Sequence, residues 1–249
     1  MTEQASTQNH DTLNTSPQDR LIVALDFPDR AQALAMADQL RGSIKWLKVG
    51  LELYLAEGRS IVEELRNRGH EVFLDLKLHD IPNTVASAVR STANTGASLL
   101  TLHAAGGPAM LNAAVEAASA LPHPPQLLAV TVLTSMDAMQ LSGIGIGRSP
   151  LDQAVLLGEM AIHQGVNGLV CSPEEIAAMR QSQARKAKLV VPGIRPASAA
   201  ADDQSRIATP SDAIRRGADW IVVGRPITRA RNPAQAAETI LNEIHSAWS

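Results

Sequence analysis

The sequence is poor in aromatic residues and in cysteine. Phe, Trp and Tyr make up 2% of its 249 residues, so the core has to be built from Leu, Val, Ile and Ala. There is one cysteine, Cys171 in GLVCS. A disulfide framework within one chain is therefore excluded, and the thiol is expected to act as a small buried apolar group. Neither sign of charge dominates: the formal net charge is −3 and the pI is near 6.2. Binding to nucleic acid or to a membrane surface through bulk charge is not expected. No apolar run approaches the roughly 20 residues that a helical membrane span requires. The opening residues, MTEQASTQNHDTLNTSPQD, lack the apolar segment of a secretory signal. Residues 1–18 are expected to be a disordered polar tail on a cytoplasmic protein, where the Asn-x-Ser match at Asn14 has no consequence.

What is present is a recurring alternation. Short runs rich in Val, Ile and Leu occur at 21–26 (LIVALD), 46–50 (WLKVG), 71–76 (EVFLDL), 98–103 (SLLTLH), 126–133 (QLLAVTVL), 168–172 (GLVCS), 188–193 (KLVVPG) and 220–225 (WIVVGR). Stretches with helical spacing lie between them, RAQALAMADQL, TVASAVRSTANTG, PAMLNAAVEAASA and LDQAVLLGEMAIHQG being the clearest. Several helical stretches run into a glycine stop, at Gly69, Gly96, Gly165 and Gly217. Eight continuous apolar strands alternating with helices imply a parallel sheet covered on both faces. The length fits one (β/α)₈ barrel over residues 19–249. An open doubly wound sheet would be favoured by G-x-G-x-x-G after a strand, and none occurs. GIGIG (143–147) has the wrong spacing and is expected in a long loop after the fifth strand, as a flexible lid. PHPPQ (122–126) is expected to be a stiff approach to that strand.

Polar residues collect where the apolar runs end. They are Asp26, Lys48, Asp75 with Lys77, His103, Thr134 with Ser135, the PGIR of 192–195, and Gly224 with Arg225. In a barrel these ends meet on one face, which carries the active site. The third run is the most charged, continuing as LDLKLHDIPNTV (74–85). Side chains alternate along a strand, so Asp75 and Lys77 share a face roughly 7 Å apart at Cα, and Lys48 on an adjacent strand about 4.8 Å away is within reach. A row Lys48, Asp75, Lys77 is expected, with Asp80 just beyond. A salt-bridge network that merely closes the barrel mouth is one reading, but desolvating such charges is costly. The other is chemical: carboxylates beside Lys77 favour its ammonium form, and a positioned ammonium can protonate a developing carbanion. His79 and His103 are expected to pack and hydrogen-bond. No Cys/His spacing suggests a metal site, and lysines beside Asp26, Asp75 and Asp80 argue against Mg²⁺.

The stretch DLKLHDIPNT (75–84) resembles the signature D-x-K-x-H-D-I-P-N-T of the orotidine 5′-phosphate decarboxylase family, matching it throughout. LDF (25–27), KVGLEL (48–53), VTVLTSM (130–136), VCS (170–172), PGIRP (192–196) and VGRPIT (223–228) also resemble family segments in order, so the likeness covers about residues 20–245. It implies a (β/α)₈ barrel that decarboxylates orotidine 5′-phosphate without cofactor or metal. It further implies that Asp26 binds the ribose, that Lys48 bridges ribose and Asp75, that Asp75 faces the substrate carboxylate, and that Lys77 protonates C6. Asp80, as a further catalytic residue, and Thr84 would be lent to a partner's site in a homodimer, and Ile81 between them would contact the substrate. Thr134 and Ser135 would touch the pyrimidine, and Arg195, Gln204, Gly224 and Arg225 would hold the phosphate. The residues agree on the last point: loops after strands seven and eight often hold phosphate in barrels, Gly224 permits close backbone approach, and the loop 193–207 is long enough to fold over an anion. Two alternatives remain at this level. One is an Mg²⁺-dependent keto-sugar-phosphate decarboxylase or synthase of the same superfamily. The other is a non-catalytic barrel that binds a nucleotide.

Overall fold

The computed structural model describes residues 16–196 and 208–247. All eight apolar runs form strands: β1 (Leu21–Ala24), β2 (Trp46–Gly50), β3 (Glu71–Leu78), β4 (Leu99–His103), β5 (Gln126–Val130), β6 (Gly168–Val170), β7 (Lys188–Val191) and β8 (Trp220–Val223). Each pairs in parallel with the next, and β1 pairs with β8, which closes the barrel. This is a (β/α)₈ barrel. Helices return the chain after each strand. Asp29 starts the helix Arg30–Leu40 by accepting the Gln32 N–H, and Ser149 does the same for Pro150–His163 through Asp152. The four glycine stops all take positive φ, from 77° at Gly96 to 108° at Gly217, a conformation glycine adopts without steric cost.

Alternation along the strands splits the core into two parts. Outward side chains meet the helices in a large aliphatic layer that includes Leu47, Leu74, Leu100 and Ile221. Inward side chains form a second cluster of Ile22, Trp46, Phe73, Leu99, Leu128, Val190 and Val222. Trp46 and Trp220 open their strands and meet edge-to-face at 5.9 Å, at the N-terminal end of the barrel. One step further along the same inward faces come Lys48, Asp75 and Thr101. The barrel thus has an apolar floor and a charged mouth.

The structure departs from the sequence reading in places. Most apolar runs outlast their strands, so Asp26, Thr134, Ser135 and Gly224 stand in the connections that leave the ladder. After β7 the cause is Pro192, which has no N–H for a ladder bond. β3 does the opposite, running two residues longer than expected, to Leu78. GIGIG is not a long loop. Gly143 ends the helix Ala138–Gly143, and the N–H groups of Gly145 and Ile146 donate to the Ser142 and Leu141 carbonyls, so the segment is a bonded turn. Of the expected tail, residues 1–15 lie outside the described residues. Pro17–Asp19 is a 3₁₀ turn tied to the body by the Asp19–Lys45 ion pair. Most of the expected phosphate lid, with Gln204, also lies outside the described residues.

Candidate active site

The row of charge expected at the mouth is present, and it is one residue longer at its start. Lys48, a β2 side chain only 11% exposed, donates to Asp26 Oδ1 at 3.0 Å and lies 3.8 Å from Asp75 Oδ2. Lys77 Nζ donates to the same Asp75 oxygen at 2.8 Å. The sequence Asp26, Lys48, Asp75, Lys77 therefore alternates in sign from the connection after β1 across β2 to β3. Asp75 is 13% exposed in its side chain and Lys77 32%, so the pair sits where partial desolvation strengthens electrostatics.

Asp80 does not extend this row within its own chain. Its carboxylate turns back to accept the Ile81 N–H at 2.6 Å, and the side chain is exposed. The cause is local: Ile81 stands at the cap of the helix Pro82–Thr92, and the chain has already left the barrel axis there. Ile81 and Thr84 are likewise exposed, Ile81 by 66%. The expectation of two carboxylates beside Lys77 is thus met by Asp75 alone among this chain's described residues.

Lys77 does not sit on a regular strand. Its φ is 51°, the one positive value at a residue other than glycine among those described. Such a backbone is sterically disfavoured for a side chain of this size and is frequent at functional sites. It coincides with a register shift between β3 and β4 from Leu74 to Leu78. Thr101 on β4 faces the shift. Its hydroxyl accepts the Lys77 N–H at 2.8 Å and donates to Asp75 Oδ1 at 2.9 Å. Thr101 was not singled out from the sequence. The signal was a hydroxyl in the middle of the apolar run SLLTLH, on the same face as His103. Gly50 was also missed: a Cβ there would come 2.9 Å from Lys48 Nζ.

Two lobes of open space flank the charged row. One, of about 190 Å³, is lined by Lys48, Asp75, Lys77, Thr134 and apolar groups including Phe73 and Val132. The other, of about 230 Å³, is lined by Asp26, Lys48, Gly193, Arg195, Gly224 and Arg225. Each is smaller than the roughly 300 Å³ at which ligand pockets begin. They share Lys48, Pro192 and Val222, so they form one bipartite cavity: a largely apolar end beside Lys77 and an arginine end. Ser135 is exposed and outside the lining of both lobes. Arg195 is buried, and its backbone is held by pairing with Ala208. Gly224 caps the single-turn helix Arg225–Thr228, the short extra helix typical of barrel phosphate sites.

Cys171 lines the apolar lobe and is buried, and burial pushes its thiol far above the ordinary range, so it stays protonated. The His79 and His103 rings lie 5.5 Å apart. Burial, then the neighbouring His79 and Lys77, hold His103 below the usual imidazole range, which favours the neutral ring. Among the described residues no three His, Cys, Asp or Glu side chains converge as a metal site would require.

The family model for orotidine 5′-phosphate decarboxylase / HUMPS matches residues 19–240. An orotidine 5′-phosphate decarboxylase of Opitutus terrae is 49% identical over 228 residues, which cover 91% of this chain and 98% of the relative. The one of Gluconobacter oxydans is 50% identical over 232 residues, covering 92% and 98%. A crystal structure of the Lactobacillus acidophilus orotidine 5′-phosphate decarboxylase has a TM-score of 0.81 to this fold and 37% identity, covering 91% of this chain and 99% of that one.

Proposed function

Since the chain belongs to the orotidine 5′-phosphate decarboxylase / HUMPS family, we propose that it converts orotidine 5′-phosphate to uridine 5′-phosphate, the last step of de novo UMP synthesis. The observation that carries this reading is the Asp26–Lys48–Asp75–Lys77 row beside a bipartite cavity with arginines at its far end. Decarboxylation breaks the bond between C6 and the carboxylate carbon. Carbon dioxide leaves, and the bonding electron pair stays on C6. Lys77 stabilises that charge as it forms and then gives C6 a proton, regaining one from solvent afterwards. No separate electron sink is needed if the site itself supplies this stabilisation. Asp75 faces the departing carboxylate, and release of that repulsion favours bond cleavage.

The remaining residues position the substrate. Asp26 and Lys48 hold the ribose hydroxyls, with Lys48 also fixing Asp75. Thr134 and Ser135 contact the pyrimidine. Arg195, Gln204, Gly224 and Arg225 take the phosphate, whose binding energy organises a site remote from it. Asp80, Ile81 and Thr84, exposed on their own chain, complete the site of a second copy in a cytoplasmic homodimer. The alternative of an Mg²⁺-dependent enzyme acting on a sugar phosphate fits less well. Both Asp75 oxygens are already bonded, to Thr101 and Lys77, and an ammonium stands between Asp75 and Asp26.

The test is ultraviolet absorbance as the orotate ring becomes uracil, with a chelator present. The expected result is undiminished turnover of orotidine 5′-phosphate in the chelator. Turnover of a keto-sugar phosphate that depends on added Mg²⁺, with none of the nucleotide, would replace this reading.

A further inference from the structure

We propose that Thr101 is the positioning residue of this site: its buried hydroxyl sets both the orientation of the Asp75 carboxylate and the left-handed backbone that presents Lys77. The argument begins with register. β3 and β4 pair at Leu74 with Leu100, and again at Leu78 with Leu102. Between these points β3 has Asp75, Leu76 and Lys77, and β4 has Thr101 alone. Extra residues on one strand lose their ladder partners and bend the chain. The Lys77 N–H is one of the groups so released, and a buried N–H without a partner is costly. Thr101 Oγ1 receives it at 2.8 Å.

A hydroxyl has one proton to give. Here it goes to Asp75 Oδ1 at 2.9 Å, while Asp75 Oδ2 is taken by Lys77. One small side chain therefore joins the main chain of one charged residue to the side chain of the other, and the carboxylate is held at both oxygens. Thr101 has no solvent exposure, and it lines neither lobe of the cavity. It acts on the reaction through Asp75 and Lys77. Without the hydroxyl, the Lys77 N–H loses its partner on β4, and relaxation of the disfavoured φ redirects the side chain that carries the proton.

This inference rests on the decarboxylase reading for its kinetic arm and is independent of it for its structural arm. Thr101→Val keeps the branching and nearly the volume while removing the hydroxyl; Thr101→Ser keeps the hydroxyl. The expected result is a loss of about 100-fold in kcat for Thr101→Val, the scale of a small misplacement of reacting groups. KM should stay within about threefold, because uniform binding is untouched, and Thr101→Ser should restore kcat to near the unmodified value. A crystal structure of Thr101→Val is expected to show Lys77 away from Asp75. If Thr101→Val does not fold, Thr101→Ala takes its place in both arms. Unchanged kcat in a folded variant lacking the hydroxyl overturns the proposal, as does an equal loss in Thr101→Ser. If the unmodified protein turns over no orotidine 5′-phosphate, the decarboxylase reading fails by itself. The crystal structure then decides: retention of the Lys77–Asp75 contact and the positive φ in Thr101→Val overturns the positioning role.

Discussion

At the scale of single residues, the mouth of this barrel is organised by two small residues rather than by the charges alone. Thr101 holds one end of the row, and Gly50 leaves room for the other. Gly50 has φ −90°, so it is not there for backbone freedom. It is there because a Cβ would press on Lys48 Nζ at 2.9 Å, with Asp26 Oδ1 at 3.5 Å. The clash is with the tip of a flexible side chain, which moves at little cost to folding. It moves, however, away from Asp26 and Asp75. Gly50→Ala is therefore expected to lower kcat/KM by about tenfold or more while the melting temperature stays within a few degrees. Steady-state kinetics beside thermal unfolding checks this; full activity with a large loss of stability would show that Gly50 serves packing only.

At the scale of elements, much was legible because the physics is periodic. Continuous aliphatic runs named all eight strands, and β2 (WLKVG) and the helix Arg30–Leu40 have the bounds of the stretches read from the sequence. The row Lys48, Asp75, Lys77 followed from alternation and strand spacing. The register shift in β3 was not legible, since no glycine or proline marks it. It depends on how β4 meets β3, and with it went the left-handed Lys77 and the role of Thr101. The turn at GIGIG was misread because its bonds come from the preceding helix. The opposite end of the barrel is held by different chemistry. Asp219, just before β8, accepts the Leu189 N–H at 2.8 Å and the Arg180 guanidinium at 2.6 Å, while Arg180 also binds the Gly217 and Ala187 carbonyls. These groups are about three-quarters buried, with side chains 23% and 26% exposed. Asp219→Ala leaves a backbone N–H and a guanidinium short of a partner. It is expected to cost about 2 kcal/mol in denaturant unfolding, with kcat unchanged because the mouth lies at the other end. Unaltered stability would show that water replaces the carboxylate.

At the scale of the whole molecule, the described surface carries large apolar groups that one chain does not cover. Leu55 is 80% exposed, Met139 78% and Ile81 66%. Ile81 lies beside Asp80 and Thr84, on the loop that leaves the charged strand. A second copy packed there would cover Ile81 and bring Asp80 toward its site, which is how the proposed homodimer would complete the row of charge. Two sites per dimer, each drawing Lys77 from one chain and Asp80 from the other, make a specific demand on mixtures of variants. In a dimer formed from one Lys77→Ala chain and one Asp80→Ala chain, one site carries both substitutions and the other carries neither.

The measurement to make is therefore orotidine 5′-phosphate turnover by Lys77→Ala alone, by Asp80→Ala alone, and by the two after subunit exchange in equal amounts. Each variant alone should be essentially inactive while folded. The mixture should regain about a quarter of the unmodified rate, since half the dimers form with one intact site in two. Silent variants that stay silent when mixed would contradict the shared site. Turnover by Lys77→Ala alone at the unmodified rate would contradict the central claim, that the ammonium at the end of the third strand quenches the carbanion.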